Sequence, residues 1–116
     1  MNYSLPLKAS PTGRYLQDQD GNPFLIHGDT PWALMVELSA SEVITYLDDR
    51  QAKGFNAVIV ELIYFVQSLH QAYNVYQQQP FTPSGNFLAP NEAYFAHCDW
   101  VISACRDRGM VAFLWL

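Results

Sequence analysis

A chain of 116 residues, half of them apolar and 15% charged, is long enough for one domain with a single hydrophobic core. Its net charge of −5 with only six Lys and Arg residues disfavours nucleic acid and anionic membrane surfaces as partners, because no basic surface is available to neutralise phosphates. No apolar run reaches the roughly 18 to 20 residues that span a bilayer, and residues 1–10 show no secretory signal, so the sequence leaves localisation undetermined.

The first predicted element is a β-hairpin. Residues 14–17 and 23–27 form its arms, and the Asp20-Gly21 pair between them favours a tight reversal. The second arm ends at His27. Residues 28–32 then break the strand, and residues 32–38 are predicted to form a short helical turn with Pro31 near its start.

A longer helix and a buried strand follow. The sequence Ser39-Ala40-Ser41-Glu42 fits a capping box and predicts a helix over residues 40–53. Gly54 stands where a left-handed residue ends a helix, and residues 55–60 form a nearly continuous apolar run. Such a run is typical of a strand buried on both faces, as in parallel sheets.

The second half of the chain repeats this order after a long connection. Residues 63–89 lack periodicity, and loops of this length are usually functional or disordered. A second amphipathic helix follows Asn91, and its apolar face comprises Tyr94, Cys98, Val101, Ile102 and Cys105. Cys98 and Cys105 lie about 10 Å apart on such a helix, too far for a disulfide. Residues 110–116 form another apolar strand, and we expect further strands to follow it.

This alternation predicts an α/β fold with a parallel sheet and right-handed crossovers. We expect about three strands and two to three helices, preceded by the β-hairpin. A closed eight-stranded (β/α) barrel needs about 250 residues, so these elements represent less than half of one.

Candidate site residues follow from the rule that ligands of parallel α/β folds bind at the carboxyl ends of the strands. His27, Asp29 and Trp32 are expected there after the first strand, and Glu61 and Tyr64 after the second. Carboxylates on adjacent strands can bind sugar hydroxyls together or raise one another's pKa for acid catalysis. Trp32 offers a stacking surface for the apolar face of a sugar.

Each candidate also has a structural interpretation. Asp29 is equally well explained as a helix cap or structural hydrogen-bond acceptor, Trp32 as a core or rim anchor, and His27 as a satisfied structural residue. Glu61 is the strongest candidate, because a carboxylate that ends a buried strand is costly unless it is paired or reaches solvent.

Metal and cofactor sites are not expected. His27, His70 and His97 show no i,i+4 pairing, and consecutive His97, Cys98 and Asp99 point in different directions on a helix. The sequence contains no glycine-rich phosphate loop and no G-x-S-x-G nucleophile motif.

Several stretches resemble one known family. They are GRYL at 13–16, DQDGNPFLIHGDTPW at 18–32, YL at 46–47, RQAKGFNAV at 50–58, PNEAYF at 90–95 and DWVI at 99–102. Together they resemble the apiosidase-like catalytic domain family of bacterial glycoside hydrolases. The resemblance covers nearly the whole chain, so residues 1–116 are expected to form an incomplete apiosidase-like barrel domain.

The resemblance implies a TIM barrel that hydrolyses glycosidic bonds in plant cell-wall glycans, with apiose-containing pectin as the known type of substrate. Related barrels carry their two catalytic carboxylates after the fourth and seventh strands, and this chain ends in the third. No catalytic residue is therefore assigned, and His27, Asp29, Trp32, Glu61 and Tyr64 are expected to bind carbohydrate. The chain alone is expected to be inactive and to need the C-terminal part of the barrel as its partner.

Two alternatives remain. One is a small, non-catalytic carbohydrate-binding α/β module that uses Trp32, Tyr64 and the aromatic side chains of the long loop at residues 63–89. The other makes Asp29 and Glu61 the complete catalytic pair of a minimal enzyme.

Overall fold

The structure, a computed structural model, describes residues 3–64 and 73–115. This part of the chain contains two three-stranded β-sheets and three α-helices. None of the helices in the described residues is long and apolar enough to cross a membrane. The fold is thus a mixed α/β fold, in agreement with the predicted class.

The first sheet is antiparallel. Strand β2 (Leu16–Gln17) pairs with β3 (Pro23–Phe24), which confirms the predicted hairpin, and it also pairs with β1 (Lys8–Ala9). The buried carboxylate of Asp18 holds the turn, because it accepts the backbone N–H groups of Asp20 at 3.0 Å and Asn22 at 2.8 Å. The sequence did not predict strand β1, because two residues are too few to show the alternation of apolar and polar side chains that indicates a strand.

The predicted second arm of the hairpin, residues 23–27, is two strands rather than one. Strand β3 ends at Phe24, and β4 (Gly28–Asp29) belongs to the second sheet. The Asn56 side chain holds the crossing between the sheets: its Nδ2 donates to the Leu25 carbonyl and its Oδ1 accepts the His27 N–H, both at 2.8 Å. His27 therefore precedes a strand, and the prediction that it ends one is wrong.

The second sheet is parallel, as predicted, with strand order β4, β5 (Ala57–Glu61) and β6 (Val111–Trp115). Between these strands run α1 (Leu34–Glu37), α2 (Ala40–Ala52) and α3 (Glu92–Arg106), close to the predicted bounds. Strand β5 ends one residue later than predicted, which makes Glu61 its last residue.

Sequence signals at the helix ends explain these bounds. Ser39 donates its backbone N–H to the Glu42 carboxylate at 2.8 Å, and its hydroxyl donates to the same oxygen at 2.6 Å, so the predicted capping pair forms at the start of α2. Gly54 has φ +82°, the left-handed value predicted for it. Asn91 caps α3 by accepting the Ala93 N–H.

The core lies on the helix side of the parallel sheet. Val58 and Val60 face the helices and are fully buried against the apolar faces of α1, α2 and α3, in a cluster that includes Leu34, Leu47, Tyr94, Cys98, Val101 and Cys105. Alternate residues of a strand point to opposite faces. Ile59 and Phe113 therefore occupy the other side, which we call the open face; there they line a hollow of about 280 Å³. Cys98 and Cys105 are both buried as free thiols, as predicted.

Candidate functional site

At the carboxyl edge of the parallel sheet, the backbone of Glu61 lies between the backbones of two exposed tryptophans. The Glu61 backbone N–H donates to the Trp32 carbonyl at 3.0 Å, and Glu61 is paired in register with Trp115 of β6. The Trp32 side chain is 55% exposed and the Trp115 side chain 63% exposed. Residues paired in register on parallel strands share a face, so Glu61 and Trp115 both project from the open face. We call Trp32, Glu61 and Trp115 the edge site.

Backbone hydrogen bonds fix the edge site from both sides. On one side, the Trp32 N–H donates to the Thr30 carbonyl at 2.9 Å within the short connection from β4 to α1. On the other, the Leu62 N–H donates to the Trp115 carbonyl at 2.9 Å, and the Tyr94 hydroxyl donates to the Leu62 carbonyl at 2.7 Å. The backbone at Glu61 is thereby tied to the strand or loop on each side of it and to α3.

Asp29 does not join the edge site. Asp29 is level with Val58 in the sheet, three residues before Glu61, and three residues along a strand place two side chains on opposite faces. Its Oδ2 accepts the Tyr46 hydroxyl at 2.7 Å, and its Oδ1 accepts the Thr30 N–H at 2.8 Å. The prediction that Asp29 and Glu61 share a cleft is wrong. Because the two carboxylates lie on opposite faces of the sheet, they cannot form the catalytic pair of the minimal enzyme.

Arg50 completes the surroundings of Asp29. Its Nε lies 2.8 Å from Asp29 Oδ2, in an ion pair in which the N–H points off the line of a good hydrogen bond. The guanidinium lies over the rings of Tyr46, at 4.9 Å, and Phe55, at 5.5 Å. The Tyr46 hydroxyl, then the Thr30 N–H and the Arg50 charge lower the pKa of Asp29. Burial, chiefly, raises the pKa of Tyr46 to about 12, so its hydroxyl stays a donor.

Acid is expected to destabilise the fold through Asp18 and Asp29. Hydrogen bonds, from the Asn22 and Tyr46 side chains first, hold both pKa values below the ordinary range. Each carboxylate therefore stabilises the fold above its unfolded pKa of about 3.9, and this contribution is lost as the pH falls through the lower folded value. The midpoint of urea unfolding is expected to be lower at pH 3 than at pH 6. The Asp29 contribution would be contradicted if the wild-type midpoint were the same at pH 3 and pH 6. It would also be contradicted if the midpoint of Asp29→Asn fell by as much as that of the wild type between these two pH values.

His27 lies at the opposite end of the sheet from Glu61, just before β4. Its Nδ1 is 3.1 Å from the Gly54 carbonyl oxygen, and its ring stacks on Phe55 with centroids 4.3 Å apart. It lines a cleft of about 710 Å³ together with Phe24 of the first sheet and Val111 of the second. This cleft is remote from the edge site, and these contacts match the structural interpretation of His27.

The half-buried side chain of Tyr64 packs against the helix-side core. Of the five residues predicted from the sequence, the structure thus brings Trp32 and Glu61 together. Trp115 was missed because it lies within an apolar run and carries no motif. Only the register of β5 against β6, which pairs it with Glu61, reveals its position.

The edge site has the chemistry of a sugar-binding surface. Indole faces pack against the apolar C–H faces of a sugar ring, and a carboxylate accepts hydrogen bonds from its hydroxyls. Glycosidic cleavage uses two carboxyl groups on either side of the bond. The edge site has one. Across residues 3–64 and 73–115, no three His, Cys, Asp or Glu side chains come together in an arrangement that would hold a metal ion.

The chain is similar to one protein family and to several solved structures. Residues 10–116 match the family model described as "Apiosidase-like, catalytic domain". A solved structure described as "Glycoside hydrolase" is 28% identical, with a TM-score of 0.83 over 98% of this chain and 26% of that one. A glycoside hydrolase family 5 structure from Bacteroides vulgatus ATCC 8482 is 31% identical, with a TM-score of 0.81 over 93% of this chain and 23% of that one.

A third structure, from the same organism, is 20% identical with a TM-score of 0.79, and it supports the fold alone. No curated protein matches the chain. The chain spans about a quarter of the length of the solved structures it matches. On the match of residues 10–116, the chain belongs to the apiosidase-like catalytic domain family.

Proposed function

We propose that this chain forms the first three strands of a (β/α)8 barrel glycoside hydrolase that acts on pectic plant cell-wall glycans, including apiose-containing ones. The family match and the two glycoside hydrolase structures support the reaction class. The alternation of parallel strands and helices from β4 to β6 is the arrangement that a barrel repeats. In this proposal, the open face is the inner side of the barrel wall.

The observation that carries the proposal is the edge site itself. Barrel enzymes bind substrate at the carboxyl ends of their strands, and that is where the backbone of Glu61 lies between those of the exposed Trp32 and Trp115. Exposed apolar side chains that lie near one another on a surface often mark a site of interaction with a ligand or partner. Two tryptophans beside one carboxylate match a flat ligand with an apolar face and a rim of hydroxyl groups, as a sugar ring has.

Within this proposal the chain binds glycan and the rest of the barrel cleaves it. Retaining glycosidases hold their carboxyl groups about 5 Å apart and inverting ones roughly 6.5 to 9.5 Å apart, so two acids must face one bond. The edge site, as defined by Trp32, Glu61 and Trp115, contains a single carboxylate. We therefore assign Glu61, Trp32 and Trp115 to substrate binding, with both catalytic acids in the part of the barrel that this chain does not span.

A hybrid enzyme tests this assignment. Residues 10–115 would replace the matching quarter of the Bacteroides vulgatus family 5 glycoside hydrolase, and hydrolysis of pectic oligosaccharides would be measured. We expect the hybrid to hydrolyse glycan, the 116-residue chain alone to be inactive, and Glu61→Gln in the hybrid to raise KM roughly tenfold with little change in kcat. Trp100→Ala, on the outer helix α3, serves as the matched control.

Two results would contradict the proposal. A hybrid that folds and binds no glycan would remove the binding role, and hydrolysis by the 116-residue chain alone would place the catalytic acids within it. The non-catalytic binding module remains the second candidate, because the edge site is complete for binding without an acid pair. If the chain is such a module, the hybrid should fold without hydrolysing glycan. The chain alone should then bind glycan as tightly as the hybrid does.

A further inference from the structure

A continuous series of contacts links helix α2 to the edge site. It starts at the Tyr46 hydroxyl and the Arg50 guanidinium, which both contact Asp29 Oδ2. The other oxygen of Asp29 accepts the Thr30 N–H. From there the backbone continues the series: the Thr30 carbonyl accepts the Trp32 N–H at 2.9 Å, and the Trp32 carbonyl accepts the Glu61 N–H at 3.0 Å.

The helix end of this series is rigid. Tyr46 and Arg50 are four residues apart on α2 and therefore project from the same side of the helix. The Arg50 guanidinium lies over both the Tyr46 ring and the Phe55 ring. Helix α2 is itself anchored by Val43 and Leu47, which are fully buried. The Asp29 carboxylate thus has a fixed point of attachment.

The connection from β4 to α1, which the Asp29 carboxylate holds, is short. Residues 30–32 lie between the end of β4 at Asp29 and the buried helix α1, whose Leu34, Met35 and Val36 are in the core. Asp29 is the side chain to which the Thr30 N–H donates, and it reaches Thr30 from the helix side of the sheet. A change at Asp29 therefore acts on this connection and leaves the anchors on either side of it in place.

We propose that Asp29, Tyr46 and Arg50 are positioning residues that set the placement of the Trp32 indole relative to the Glu61 carboxylate. The ligand they help to select is, on the function proposed above, a sugar ring bound between these two groups. The positioning itself rests on the contacts alone. Asp29 would then determine affinity for glycan without touching it.

Fluorine NMR of the chain labelled with 5-fluorotryptophan tests the inference, because the sequence has three tryptophans, at positions 32, 100 and 115. We expect Asp29→Asn to shift and broaden the Trp32 signal and leave the Trp100 signal in place. Tyr46→Phe, which removes one hydroxyl from the series, should shift the Trp32 signal less. Asp49→Asn is the matched control, because it removes a carboxylate that also pairs with Arg50 and does not contact Asp29.

The outcomes separate this inference from the proposed function. If the Trp32 signal is unchanged in folded Asp29→Asn, or if Asp49→Asn moves it equally, the positioning role is overturned. If Asp29→Asn does not fold, Tyr46→Phe is used instead, and an unchanged Trp32 signal in that variant overturns the positioning role. If the Trp32 signal moves as expected while the wild-type chain and the hybrid bind no pectic oligosaccharide, the positioning role stands and the glycan proposal fails. With both correct, Asp29→Asn weakens glycan binding by the hybrid roughly tenfold and Asp49→Asn does not.

Discussion

The double substitution Trp32→Ala and Trp115→Ala is expected to weaken binding of a pectic oligosaccharide by one to two orders of magnitude. Each indole offers a broad apolar face, and loss of one aromatic contact is expected to cost about 1.4 kcal/mol, or tenfold in affinity. Both side chains are more than half exposed, so their removal leaves the core intact. Isothermal titration calorimetry on the hybrid enzyme measures the change.

The matched control for this experiment is Trp100→Ala. Trp100 is also partly exposed, and it lies on α3, where its ring stacks on that of His97 with centroids 5.9 Å apart. We expect this variant to retain wild-type affinity. Equal losses in Trp100→Ala and in the double variant would mean that the tryptophans act through stability or nonspecific contact, and the edge site would lose its assignment.

Tyr94→Ala is expected to have the largest effect on stability, with a loss of about 3 to 5 kcal/mol in the free energy of unfolding. Tyr94 is fully buried in the core, and its hydroxyl donates to the Leu62 carbonyl at 2.7 Å. The variant therefore leaves a cavity and an unsatisfied carbonyl directly after Glu61. A loss of this size is comparable to the whole stability of a small domain, so much of the chain should be unfolded at 25 °C.

Tyr94→Phe separates the two contributions. It keeps the ring and removes the hydroxyl, so it should cost about 1 kcal/mol and leave the chain folded. Urea unfolding followed by circular dichroism gives both values, and Tyr15→Ala, at a tyrosine 47% exposed, is the control. A Tyr94→Ala variant as stable as the Tyr15→Ala variant would contradict the position of Tyr94 at the centre of the core.

Local sequence signals were sufficient to predict the helices and two of the three parallel strands, β5 and β6. The Ser39 to Glu42 pair, Gly54 and Asn91 mark helix ends by their own hydrogen bonds or backbone angle, and these act within a few residues. The apolar runs at 55–60 and 110–116 are long enough to indicate buried strands. The break at residues 25–27 was not predictable, because it depends on a contact with Asn56, about thirty residues away.

The candidate site was only partly predictable, because side-chain direction depends on register. The rule that ligands bind at the carboxyl ends of strands correctly brought Trp32 and Glu61 together. It also included Asp29, which a three-residue offset places on the helix side, and His27, which lies at the amino end. Trp115 was assigned to the edge site only because the register of β5 and β6 pairs it with Glu61, more than fifty residues earlier in the chain. No local pattern encodes that pairing.

The most direct test of the account is a titration of the isotope-labelled 116-residue chain with a pectic oligosaccharide, observed through the indole N–H signals of its three tryptophans. The account predicts that the Trp32 and Trp115 signals shift together with one saturation curve while the Trp100 signal stays in place. A shift confined to Trp100, or no shift at any of the three at millimolar glycan, would contradict the claim that the carboxyl edge of this sheet binds carbohydrate.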